Sequence, residues 1–561
     1  MSQEISRRRF LGLLAGAAAS SVVLAACQPT PAATPVPAEK APTDAPTAEE
    51  PKAEEPTAVA PEPATEEPFR FSYLRPVWGP ATWEQGSDYE LELFERANTI
   101  IDAQIVPVFD YETRFPVLAA GQNLADVSWH AGPNWGPAHD LIEQGAFAPL
   151  NDALDRYPAV RDAIGDTLWT LTRSPDGNNY FFPTPLAPFV PFPFSYRVDI
   201  YDELGLEEPE SLDELVDQLE QIRSDKPDMI PLTLHEYSLW YFQNTGTSLG
   251  YPWGNWVPDY GEPYDNPERI IPGGVTEEYK EFLLFVQSLR KKDVIDPDYM
   301  IATGLKGIDK FRAGDVVVME GHWGAMAADN VELKKIVPEG DISYMKQLQG
   351  PKQPMGALTL TGFDRGFSVS IRAQDKLDGI FRFLDWVYTD GYEYVRYGKE
   401  GKTFNWVDGV RVMIPTEERE SGWQGPNMEP FGFPPKVEDV WPKWDEQLTF
   451  LEERGLADKL PHMMEMFITS AENAMPNWNH LTFSPTAGEK SSMLFEQYTR
   501  PMQERFAIDP DLAASAFDDA IAGWLAEGGQ QIIDEVNEIQ TVKSPIKPTY
   551  TLPDGYKDLL G

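Results

Sequence analysis

The chain has 561 residues, of which 42% are hydrophobic and 24% charged, the balance of a globular protein. Its formal net charge of −44 repels polyanions, which sets aside DNA or RNA as a partner and favours a soluble, exposed monomer. A single cysteine, Cys27, leaves no disulfide framework and no cysteine metal site.

The N-terminus reads as an export signal. Ser6-Arg7-Arg8-Arg9-Phe10-Leu11 precedes an alanine-rich apolar run ending in Leu24-Ala25-Ala26-Cys27. That run is too short for a span of ~20 apolar residues, so cleavage is expected over permanent insertion. The arginine pair before Phe-Leu resembles a Tat signal, and Leu-Ala-Ala-Cys resembles the bacterial lipobox. Residues 1–26 are therefore expected to be removed, with Cys27 acylated and held in the bilayer. From Cys27 to Pro68 the chain is almost entirely Pro, Ala, Thr and Glu and cannot bury a core. It is expected to be a disordered tether whose acidic residues hold the folded part off an anionic membrane.

The remainder is too long for one hydrophobic core. Asp88 is expected to cap a helix bearing Leu91, Phe94 and Ala97, and Ser211 with Glu214 forms a capping-box pattern before Leu215, Leu219 and Ile222. Tyr279, Phe282, Leu283, Val286 and Leu289 make another apolar stripe, as do Ile380, Phe381, Leu384 and Val387. Short β-branched runs at 105–109, 316–319 and 367–371 alternate with these helices, which indicates an α/β architecture. Without a 20 to 50 residue repeat, solenoids and propellers are set aside.

Several segments then follow in a familiar order. Phe311-Arg312-Ala313-Gly314-Asp315 runs into Val316-Val317-Val318-Met319 and Gly321-His322-Trp323-Gly324. After it come Gly366-Phe367-Ser368-Val369-Ser370, a helix from Ile380 to Val387, and Gly398-Lys399-Glu400-Gly401-Lys402-Thr403-Phe404-Asn405-Trp406-Val407-Asp408-Gly409. Together they resemble the family 1 extracellular solute-binding proteins, in particular the large lipoprotein-type oligosaccharide binders. The stretch from Met475 to Pro485 has no counterpart in that resemblance. The resemblance implies a two-lobed periplasmic-binding-protein-like fold of type II, with an interlobe cleft and several chain crossovers. Lobe one would be 69–187 plus 347–366, lobe two 188–346 plus 367–541, and 542–561 a C-terminal tail. It also implies a saccharide, and within this family an oligosaccharide, delivered to a membrane ABC permease without catalysis.

Other chemistries fit the residues less well. Gly246-Thr247-Ser248-Leu249-Gly250 matches G-x-S-x-G, but Pro252, Trp253 and Gly254 follow where a nucleophile elbow needs a helix. Gly401-Lys402-Thr403 is like the end of a P-loop, yet the glycine it needs upstream is Arg396. His130, His139, His235, His322, His462 and His480 form no i, i+4 pair for zinc. No cofactor and no metal is expected. Asp259, Asp265 and Asn266 offer oxygens without a full calcium loop. The alternatives are a secreted glycoside hydrolase or polysaccharide lyase, since some carboxylate pair must fall at glycosidase spacing, and a binder of another polar solute such as a peptide.

In a two-lobed binder the ligand sits at the loops that follow strands of both lobes. Trp78, Trp83, Trp129 and His130 are the candidates from lobe one, and Tyr237, Trp240, Trp253, Trp256, His322 and Trp323 those from lobe two. A tryptophan offers a flat apolar face and an N–H donor to a sugar ring. Trp323 matches a sugar-stacking position in the family resemblance. Arg365, near the expected lobe crossing, suits a uronic acid carboxylate.

Overall fold

The computed structural model describes residues 67–77, 86–187, 189–190, 193–235, 256–259, 267–299, 306–320, 326–350, 358–359, 362–415, 418–423, 435–474, 478, 482–539, 555–556 and 558. The export signal, Cys27 and nearly all of the expected tether lie outside them, as does the G-x-S-x-G segment. In chain order the main strands begin with β1 (Phe69–Val77), β2 (Thr99–Pro107), β3 (Val127–His130), β4 (Phe182–Pro185), β5 (Phe194–Arg197) and β6 (Ile230–Leu234). They continue with β7 (Trp256–Pro258), β8 (Ile270–Pro272), β9 (Val316–Glu320), β10 (Ile342–Tyr344) and β11 (Phe363–Val369).

Two mixed sheets result. The first runs β2-β1-β3-β11-β4, with β1 parallel to both β2 and β3 and with β11 antiparallel to β3 and β4. The second runs β10-β5-β9-β6, its β9 buried along its whole length. Each sheet is covered on both faces, which is why Val316 to Met319 is a continuous apolar run and not an alternating one. The architecture is α/β and two-lobed, as the alternation of helix and strand patterns implied.

Helix ends follow local chemistry. Helix α1 (Asp88–Ala97) is capped by Ser87, whose hydroxyl accepts from the Glu90 N–H; the cap lies one residue before the one expected. Asp88 is the first helical residue, where its charge suits the positive end of the helix dipole. Helix α2 (Val108–Ala120) starts where the run from Ile105 was read as strand, so β2 ends at Pro107. Ser211 caps the helix Leu212–Asp225 by accepting from Glu214 N–H at 3.2 Å. Such a cap contributes about 1 kcal/mol.

The division between lobes differs from the expected boundaries. Ile380, Phe381, Leu384 and Val387 pack with Phe71, Tyr73, Phe182 and Phe367 in the first core, so the chain after residue 367 has not left lobe one. The reason is connectivity: β11 lies inside the first sheet, and the short link to the helix Leu377–Tyr388 keeps that helix on the same sheet. The chain enters lobe two after β4, returns before β11, and leaves again before Trp444, which belongs to a core on the second sheet. Where the first two passages run side by side, Phe189–Val190 pairs antiparallel with Leu358–Thr359.

Candidate ligand-binding cleft

The loop after β3 leads into helix α3 (Gly136–Glu143) and forms one wall of a cavity of about 620 Å³. Trp256 at the start of β7 and the segment around helix α8 (Pro485–Leu494) also line it; α4 to α7 are Leu212–Asp225, Glu277–Lys291, Leu377–Tyr388 and Leu460–Glu472. Trp135, Phe483, Thr482, Ser484 and Ser491 line the cavity with Trp256. Helix Arg500–Ile508, which follows α8, packs with α5 in the second core. The cavity therefore lies at the meeting of the two lobes. Beside it the rings of His139 on α3 and Phe483 stack with centroids 3.4 Å apart.

A space of this size, lined by aromatic rings and by hydroxyls, suits a small polar ligand with an apolar face. Ser484 is held in place as the cap of α8, accepting from Ala487 N–H at 3.0 Å. It also donates to the Glu535 carboxylate at 2.6 Å, on helix α9 (Gln530–Ile539). Thr486 adds its hydroxyl at 2.7 Å and its N–H at 3.0 Å. Burial pushes the Glu535 carboxyl up, but the hydrogen bonds from Ser484, Thr486 and Gln531 outweigh it, and the group settles at about 2.

Of the expected ligand residues, Trp256 lines this cavity. His130 does not: it is fully buried, with Nδ1 3.0 Å from the Gly132 carbonyl and Nε2 2.7 Å from Ser368 Oγ. Phe115, Phe147 and Phe181 surround the ring, and burial pushes its pKa down to about 3. It is a neutral histidine enclosed among the aromatic rings of the first lobe, and it does not line the cavity. Trp129 also turns inward, edge-on to Tyr111 at 5.4 Å, packing against both faces' clusters of the first lobe. The reason is alternation on a strand whose two faces are both covered. Arg365 is partly buried and stands just before Gly366, the partner of His130, so it lies at the cleft end of β11 but outside the cavity lining. Trp78, Trp83, Tyr237, Trp240, Trp253, His322 and Trp323 lie outside the described residues.

Sequence reading missed Trp135 and Phe483. Gly132-Pro133-Asn134-Trp135-Gly136 has the same Gly, Pro and Asn setting that singled out Trp253 and Trp256, so the signal was present. Phe483 belongs to the stretch that matched nothing familiar.

No protein-family model matches the chain. A polygalacturonan/rhamnogalacturonan-binding protein of Bacillus subtilis is 22% identical over 464 residues, 80% of this chain and 86% of that protein. Among solved structures, the alginate-binding protein AlgQ2 without calcium ion superposes with a TM-score of 0.65 at 16% identity, covering 85% of this chain and 99% of its own. The S. pneumoniae ABC-transporter substrate-binding protein FusA, in complex with kestose, gives 0.62 at 15% identity, with 84% and 98% covered. The fold is that of an extracellular solute-binding protein.

Proposed function

We propose that this chain is the substrate-capturing component of an ABC importer, binding a saccharide between its two lobes and handing it to a membrane permease. The observation that carries this reading is the cavity where the lobes meet, lined by both Trp135 and Trp256. Indoles can pack on the C–H faces of a sugar while Ser491 and Ser492 exchange hydrogen bonds with its hydroxyls. The likeness to proteins named for polygalacturonan, alginate and kestose binding supports a saccharide, both acidic and neutral.

A ligand held by both lobes favours their closed arrangement over the open one, and that population shift is the signal a permease reads. Trp78, Trp83, Tyr237, Trp240, Trp253, His322 and Trp323 complete the proposed ligand set on the strength of their sequence setting. Arg365 is kept as a carboxylate partner for a uronic acid. The protein works as a monomer at the outer face of the cell membrane, tethered through acylated Cys27 after Tat export. Thermal melting of residues 69–561 against galacturonate, alginate and neutral oligosaccharides tests the reading. A rise in melting temperature with one series is expected; no shift with any saccharide, together with a shift for peptides, would overturn it.

A further inference from the structure

We propose that His130 is a positioning residue for the saccharide cavity: it never meets ligand, but it fixes the pose of Trp135. This rests on the saccharide reading of the cavity. The ring sits among Phe115, Phe147 and Phe181, where a further apolar side chain would fill the space without burying polar nitrogens. Both nitrogens are instead engaged, and on different parts of the fold. Nε2 meets Ser368 of β11, in the middle of the sheet. Nδ1 meets the carbonyl of Gly132, in the loop that walls the cavity.

That carbonyl is shared. The Trp135 N–H donates to it at 3.2 Å, so one oxygen gathers the histidine ring and the backbone of the cavity tryptophan. The peptide can present the oxygen this way because Gly132 has φ of +140°, a conformation that favours glycine. The side chains are linked as well. The His130 and Trp135 rings lie within 17° of parallel with centroids 6.5 Å apart, and Phe115 supports the indole at 5.2 Å. The histidine thus holds Trp135 by its backbone and by its ring, and ties both to the rigid strand β11. Nδ1 faces both the carbonyl of Gly132 at 3.0 Å and its N–H at 3.4 Å, and Nε2 lies 2.7 Å from Ser368 Oγ, whose hydroxyl donates to the Tyr180 carbonyl at 2.6 Å.

Two substitutions of similar polarity separate the nitrogens. In His130→Asn the side-chain amide occupies the place of Nδ1 and keeps the bond to Gly132; in His130→Gln it occupies the place of Nε2 and does not. Hydrogen exchange on the free full-length protein should show amides of residues 131–138 opening about tenfold more often in His130→Gln than in His130→Asn, with β1 alike in both. Trigalacturonate should bind His130→Gln about tenfold more weakly than His130→Asn, and in a Trp135→Ala background the two should bind alike. Equal loop exchange in the two variants, or losses that add to that of Trp135→Ala, would overturn the proposal. If trigalacturonate fails to bind the wild-type protein, the polyuronate form of the function falls, and the exchange comparison still decides the role of His130.

Discussion

Glu535 accepts a hydrogen bond from Ser484 at 2.6 Å, across 51 residues of chain, and so joins α9 to the first turn of α8 beside the cavity. Removing the carboxylate in Glu535→Ala leaves two hydroxyls, the Thr486 N–H and the Gln531 amide without their charged acceptor, a loss of about 1.5–3 kcal/mol. The effect depends on pH with a definite sign. Because the folded carboxyl lies at about 2, below its ordinary 4.5, its contribution is present above pH 4.5 and vanishes as pH falls through 2. Urea unfolding at pH 7 and pH 3 should show the gap between wild type and Glu535→Ala narrowing in acid; a constant gap would contradict the carboxylate's role.

His462 behaves in the opposite sense. Its Nε2 lies 3.1 Å from Glu208, and this hydrogen bond raises its pKa against the opposing effect of burial. The stabilisation is complete below pH 6.5, the ordinary value, and is lost as pH rises through the folded value. His462→Gln should therefore lower the melting temperature at pH 6 and match wild type at pH 9. Equal melting differences at both pH values would count against it.

Cavity and core tryptophans should separate cleanly. Trp444 is 1% exposed and packs edge-on to Phe467, so Trp444→Ala should cost about 3–5 kcal/mol of stability through the space it leaves. Trp135→Ala and Trp256→Ala should instead weaken saccharide binding by about 5- to 150-fold, equivalent to ~1–3 kcal/mol. The same pattern is expected for Trp323→Ala. Calorimetry and melting on the same samples distinguish the classes; unchanged affinity in folded Trp256→Ala would remove it from the site.

Membrane attachment should depend on Cys27 alone. Cys27→Ser is expected to release an unlipidated protein or leave an uncut precursor, with the folded lobes unaffected. Replacement of Arg7 and Arg8 together by lysine should block export by a Tat route and spare a route that does not read the pair. Retained acyl label in Cys27→Ser would defeat the first expectation, and normal export of the double variant the second.

The helices were legible because their apolar stripes recur every three or four residues: Tyr279, Phe282, Leu283, Val286 and Leu289 are all fully buried on α5. The strand at Val316 was legible from its unbroken β-branched run. The site was harder to read, for a physical reason. Trp129 and Trp135 are both tryptophans six residues apart near the same loop, yet strand pleating turns one into the core and loop geometry leaves the other at the cavity. His130 shows the same limit: its place at the end of a strand suggested a ligand-facing loop, whereas Ser368, 238 residues away, and Gly132 meet its two nitrogens in the interior. Sequence spacing carries no trace of such a long-range partner.

The place of β11 bears on how the molecule is made. Since β3 and β4 are neighbours only through β11, the first lobe has an open seam until Val369 has been synthesised and the chain has already traced most of the other lobe. Joining strands so distant in sequence is slow, because closing the long loop costs entropy before the contacts form. During that interval Phe181 and Phe182 lack the aromatic partners Phe363 and Phe367 that later cover them. The newborn chain therefore exposes an adhesive strip along two unpaired strand edges, and its safe production depends on protection of β3 and β4 until the third quarter of translation is under way.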